Sequence, residues 1–163
     1  MTKEANSQVN AERIWRMIKD IDFCMLVTNP EHGKMRSRPM SSIVDVERHT
    51  LHILADKTGK VDEEIAANSS VLLTFSNGKS HVSVAADCRV STDLALIKSL
   101  WNPGAQAFWP KGPDVEPVVA LIIIPTYGEF WEGSNRIVAA AKFAVALASG
   151  TTPDLGDSGR AKL

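Results

Sequence analysis

Residues 23–61, FCMLVTNPEHGKMRSRPMSSIVDVERHTLHILADKTGKV, decide the fold. Phe23 to Thr28 is a short apolar, β-favouring run, and Asn29-Pro30-Glu31-His32-Gly33 is dense in turn formers, so a strand and a hairpin loop are expected. A second strand is expected over Met35 to Val46, and a third over Leu51 to Ala55 after the polar break Glu47-Arg48-His49-Thr50. Three consecutive antiparallel strands make a meander, and the segment ends in Asp56-Lys57-Thr58-Gly59-Lys60, which opens a short helix running to about Asn68.

Working outward, Asn10 is placed to cap a helix whose apolar stripe is Ile14, Met17, Ile18 and Ile21. Downstream, Val71 to Phe75 and His81 to Val90 are strand-like around Ser76-Asn77-Gly78-Lys79, and Asp93 to Trp101 is helical. Asn102 to Pro117, with four prolines and two glycines, is expected to be an ordered loop carrying Phe108 and Trp109. Val118 to Ile124 and Tyr127 to Trp131 are expected to form a hairpin around Pro125-Thr126. Ser134 then caps an alanine-rich helix presenting Ile137, Val138, Ala141, Ala144, Val145 and Ala148 on one side. Five to seven short strands with too few helices for repeated crossovers predict a mainly β fold, an antiparallel barrel decorated by helices. One domain is expected over 10–149, with flexible ends at 1–9 and 150–163.

Composition narrows the function. The 163 residues carry 18 basic and 19 acidic side chains, a formal net charge of -1, whereas a surface that tracks nucleic-acid phosphates needs a basic excess. No apolar run approaches the roughly 18 residues of a membrane-spanning helix, and no secretory leader precedes the first helix, so a cytoplasmic protein is expected. The two cysteines, Cys24 and Cys88, sit singly in strand-like runs, giving neither a disulfide framework nor a zinc cluster and suiting a reducing compartment. There is no GxGxxG, GxSxG or HExxH, and His32, His49, His52 and His81 are scattered without metal-ligand spacing, so no metal is expected and no catalytic residue is assigned. Asp62-Glu63-Glu64 falls in the first turn of a helix, where acids complement the dipole.

Three constellations remain. In Arg36-Ser37-Arg38-Pro39-Met40-Ser41 the strand period of two puts Arg36, Arg38 and Met40 on one face, and two adjacent guanidiniums need an anion. The competing reading is a solvated outer face, against which Pro39 marks an edge or bulge with free backbone groups. Lys57, Lys60 and the Thr58 hydroxyl, at a strand-to-helix turn, would form a phosphate cradle, although Thr and Gly also serve such turns as cap and bend. Trp101, Phe108, Trp109 and Trp131 hold most of the late aromatic content, as core or as stacking residues.

In order and spacing these segments, with Gly128-Glu129-Phe130-Trp131-Glu132-Gly133, resemble the pyridoxamine 5′-phosphate oxidase-like, FMN-binding split-barrel family, in particular its general-stress-protein branch. The resemblance implies a six-stranded antiparallel split barrel and a homodimer with flavin at the subunit interface, FMN being the expected cofactor and FAD the alternative. It assigns Arg36, Ser37, Arg38, Pro39 and Met40, with Asp56, Lys57, Thr58, Lys60 and Val61, to the flavin phosphate and one ring edge. Trp101, Phe108, Trp109 and Trp131 become candidates to close the pocket, some from the second subunit. One departure stands out: true pyridoxamine phosphate oxidases follow the Phe130-Trp131 position with an Arg-Leu-His-Asp-Arg segment that grips substrate phosphate. Here Arg136 is followed by Ile137-Val138-Ala139-Ala140. The resemblance thus implies an FMN-dependent oxidoreductase linked to the general stress response, without the substrate clamp used in vitamin B6 oxidation. A stress protein that holds flavin without turnover is the second reading, and a deazaflavin- or haem-binding split barrel, with His81 or His52 as axial ligand, the third.

Overall fold

The computed structural model describes residues 3–30, 34–133, 136–153 and 156–163. Its elements in chain order are α1 (Lys3–Asp20), β1 (Phe23–Thr28), β2 (Arg36–Ser41), β3 (Ile43–Asp45), β4 (Thr50–Asp56), a 3₁₀ turn (Lys57–Gly59), α2 (Val61–Ala67), β5 (Ser70–Ser76), β6 (Ser80–Ser91), α3 (Leu94–Leu100), α4 (Pro103–Phe108), β7 (Val118–Gly133), α5 (Arg136–Ser149) and β8 (Gly156–Lys162).

The strands form one antiparallel sheet in the order β2-β1-β5-β6-β7-β4-β3, with β8 added on β7. Its two end strands, β2 and β3, are separated in the chain by Ser42 alone. The chain thus passes directly from one end of the sheet to the other, which forces the sheet to curl into a split barrel and explains why the expected Met35–Val46 strand is interrupted. Its first half pairs with β1 (Leu26 opposite Arg38) and its second with β4 (Val44 opposite Leu51). The sheet has eight strands, or seven if β2 and β3 are counted as one bent strand, rather than the six expected; β8 is the addition.

The barrel interior is filled by alternate residues of each strand, among them Leu26, Leu51, Ile53, Leu73, Val84, Leu121 and Ile123, all without solvent exposure. The stripe on α1 closes one side: Ile14, Met17, Ile18 and Ile21 are all buried in this core. A second, smaller cluster joins Ile97 of α3 to Val118 and Ala120 on the outer face of β7, with Trp101 and Trp109 packed against it.

Four sequence expectations change. Asn10 is not a cap, because α1 begins at Lys3, and its side-chain amide instead donates to the Arg160 carbonyl at 3.1 Å. Pro125-Thr126 is no hairpin turn. Residues 118–133 form one continuous strand, and Thr126 is the extra residue of a bulge, since Ala86 faces Pro125 while Ala85 faces Tyr127. The 102–117 loop contains α4, with Asn102 accepting from the Ala105 N–H and Pro103 in the first turn. The tail beyond 150 is not all flexible, because residues 156–162 pair with β7 from Gly133 opposite Gly156 to Tyr127 opposite Lys162. The Ser134 cap, and Glu31 to Gly33 of the first hairpin loop, lie outside the described residues.

Candidate functional site

The register of β1 and β2 orients the first constellation. Arg36, Arg38 and Met40 lie opposite Thr28, Leu26 and Cys24, which are buried, so the two arginines share the inward-facing side of β2. The anion they meet is the protein's own. Arg38 binds both Glu64 oxygens, Nη1 to Oε2 and Nη2 to Oε1 at 2.9 Å each, and Arg36 Nη1 reaches Oε1 at 2.9 Å. The Thr28 hydroxyl donates to Oε2 at 2.6 Å. Glu64 is thus not one more surface acid of the first helical turn but a buried carboxylate tying α2 to β1 and β2. Hydrogen bonding to Arg38 above all holds it below its ordinary carboxyl value, against the opposing effect of burial.

Lys57 and Lys60 lie at the adjoining turn, both exposed, with no side-chain partner among the described residues. Lys60 takes a left-handed conformation (φ 60°) between the 3₁₀ turn and α2, and its carbonyl accepts from the Glu64 N–H at 3.1 Å. The two lysines and the two arginines therefore gather around the start of α2. The Thr58 hydroxyl, expected in the cradle, donates to Asp56 Oδ1 at 2.6 Å, and the Thr58 N–H donates to the same oxygen at 2.7 Å. These bonds lower the Asp56 pKa and leave the hydroxyl proton engaged inside the protein. Val61 is buried in the core.

Beside this cationic turn lies a cleft of about 330 Å³. Pro39, Met40 and Ser41 form one wall, Leu54, Ala55 and Asp56 the floor, and Asn102, Ala105, Phe108 and Trp109 the opposite wall. A hydrogen bond from Lys57 N–H to the Pro117 carbonyl (2.8 Å) anchors the end of the α4 segment at this place. Trp109 packs against Trp101, ring centroids 6.0 Å apart, and against Phe108 at 6.2 Å; Phe108 itself is 81% exposed at the cleft. In sequence the cations neighbour two residues of the cleft, Pro39 following Arg38 and Asp56 preceding Lys57, while Arg36, Arg38, Lys57 and Lys60 are not themselves part of its lining.

Other candidates fall elsewhere. Ser37 lies on the exposed outer side of β2. Trp131 is on the outer face of β7, 46% exposed, where it walls a separate groove with Ser158 and Arg160. His81 faces outward and bonds Ser76 through Nδ1 at 2.9 Å, and neither it nor His52 lines the cleft. Burial pushes the Cys24 and Cys88 thiols up to about 12, away from nucleophilic use. Sequence reasoning missed Glu64 and Thr28, since a carboxylate in a run of three acids carries no local sign that it is the buried one.

A curled antiparallel sheet with an apolar cleft and a cationic turn at its rim defines a split-barrel protein. The profile of the pyridoxamine 5′-phosphate oxidase-like family matches residues 9–154, and the chain belongs to that family. No curated protein sequence matches the chain. Among solved structures it is similar to a protein of Jannaschia sp. CCS1 described as a general stress protein 26, at 20% identity, covering 96% of this chain and 99% of that one with a TM-score of 0.73. General stress protein 26 of Bacillus anthracis str. Sterne is also 20% identical, with 73% and 91% covered and a TM-score of 0.63. The general stress FMN/FAD binding protein of Xanthomonas citri matches at 20% identity, 82% and 92% coverage and a TM-score of 0.64. At these identities the likeness is one of fold.

Proposed function

We propose that this protein binds FMN, with FAD as the alternative, and acts as a flavin-dependent oxidoreductase of the general-stress type. The observation that carries the reading is a mainly apolar slot with cationic residues next to it in the chain. The slot's lining is mostly aromatic and aliphatic, and the exposed Lys57, Lys60 and Arg36 would receive a ligand's anionic tail. This donor set fits a planar ring carrying a phosphate. Lys57, Lys60, Arg36 and Arg38 would hold the phosphate; Pro39, Met40, Asp56, Phe108 and Trp109 would flank the ring. Bound flavin would supply hydride or electron chemistry, and the chain's contribution is to bind, orient and shield it.

The same reading includes a homodimer. Phe23, Met25, Leu72, Tyr127 and Trp131 are large apolar side chains exposed on the outer face of the sheet, and Phe108 stands exposed at the cleft. Exposed apolar surface of this kind marks an interaction site, and a two-fold partner laid on it would bring late-chain aromatics such as Trp131 to the other subunit's cleft. Two buried free thiols suit a cytoplasmic location, and among the described residues no helix is long and apolar enough to cross a membrane.

A flavin holder without turnover is the second reading. It is favoured by the state of Asp56, the ionisable side chain in the cleft lining, whose carboxylate is already bonded to Thr58 and poorly placed to exchange protons with a substrate. Titration of FMN into the protein, followed by flavin fluorescence, tests binding. Anaerobic addition of NADH or NADPH then separates the two readings: bleaching of the flavin bands means an oxidoreductase, and persistence means a holder.

A further inference from the structure

Two arginines two residues apart on one strand face would repel each other and sample many rotamers if left alone. Here both are fixed by a single carboxylate contributed from another element. Glu64 is 6% exposed, it accepts from Thr28, Arg36 and twice from Arg38, and its own backbone N–H is bonded to Lys60, the last residue of the cationic turn. A buried carboxylate costs free energy unless its oxygens are fully engaged, and this one is engaged by groups from β1 and β2 at once. The engagement is also asymmetric: Arg38 uses its two terminal nitrogens while Arg36 uses Nη1 only, leaving Nε and Nη2 of Arg36 and Nε of Arg38 unengaged among the described residues.

We infer that Glu64 is a positioning residue for the phosphate site, holding the Arg36 and Arg38 guanidiniums in place, with their remaining N–H groups directed to a phosphate bound beside Lys57 and Lys60. This rests on the flavin-phosphate reading above. Glu64 touches no ligand itself. It lowers the reorganisation needed on binding, because the donors stand in position before the anion arrives. It also cancels one of the two guanidinium charges, so Arg38 can sit half-buried beside the exposed Arg36.

The test compares affinities for FMN and for riboflavin, which carries the same ring without the phosphate, in the full-length wild-type protein, in Glu64→Gln and in Thr28→Val. A role confined to holding the fold weakens both ligands alike. The positioning role lowers FMN affinity in Glu64→Gln by about tenfold or more and leaves riboflavin affinity where it was, so the ratio of the two collapses. Thr28→Val keeps every charge and removes only the hydroxyl that fixes the carboxylate; here the same ratio falls by a factor of about three. An unchanged ratio in both variants overturns the inference, and a raised ratio overturns it by showing that the carboxylate competes with phosphate. Wild-type protein that binds FMN but shows no preference for it over riboflavin overturns the phosphate-site assignment, and the inference with it. Wild-type protein that binds neither flavin overturns the flavin reading itself.

Discussion

Arg38 and Glu64 show how a single residue type serves two ends. In the sequence Arg38 is a candidate phosphate ligand; in the structure its two terminal nitrogens are already committed to a buried carboxylate. Arg38→Ala should therefore cost stability first, about 3 kcal/mol, because Glu64 is left buried without its bidentate partner. Urea unfolding of the two proteins measures this, and an unchanged midpoint would show that the pair carries no stability. Glu64 also makes stability pH-dependent. Its folded pKa lies below its ordinary value of 4.5, so its contribution is fully present above that value and is lost as pH falls through the lowered one. The stability gap between wild type and Glu64→Gln should accordingly be widest near neutrality and close in acid. Lys57 and Lys60 are the converse case, exposed and without side-chain partners among the described residues. Replacing both with alanine should leave thermal stability unchanged and weaken FMN binding by about tenfold or more, with a shallower salt dependence.

At the scale of elements, what the sequence revealed and what it hid follow from whether the signal was local. The α1 stripe, β1, β4, β5 and β6 and the presence of α2 and α3 depend on periodicity and neighbouring residues, and these were legible. Asn102-Pro103 was a legible helix start as well, but the density of proline and glycine after it outweighed the signal. Pro125 misled because a proline in a strand has two meanings, a turn or a bulge, and the choice is made by the partner strand: β6 pairs with β7 on both sides of the bulge, from Ala120 to Glu132. The least legible element was β8, whose glycines and charges look like a solvated tail. Its strand character comes from its partners. Arg13 on α1 binds both Glu132 and Asp157 and lies 4.5 Å over the Phe130 ring, while Gly159 lies directly across from Phe130. A Cβ at Gly159 would lie 2.6 Å from Phe130 Cε1, and that ring is buried beneath Arg13. Gly159→Ala should therefore destabilise the protein by about 1–3 kcal/mol and raise amide exchange in β8 before the rest of the sheet. Uniform exchange would mean that β8 is not held by this contact.

For the molecule as a whole, the fold follows from one topological fact: β2 and β3 are consecutive in the chain and lie at opposite ends of the sheet. Curling the sheet to join them places the cationic turn, the cleft and the α4 aromatics on one rim. The proposed cofactor and second subunit rest on resemblance, because a single chain holds its candidate aromatics Phe108 and Trp131 in separate grooves. If the outer face is the dimer surface, Met25→Asp should shift the protein toward monomer in sedimentation equilibrium while its circular dichroism stays that of the folded chain, since Met25 is 39% exposed and contributes little to the core. A monomeric wild type would remove the dimer from the account. The most direct test of the central claim is gel filtration of the protein incubated with FMN, recorded by visible absorbance. The account predicts flavin bands that co-elute with the protein at one flavin per chain; flavin found wholly in the small-molecule fraction would contradict it.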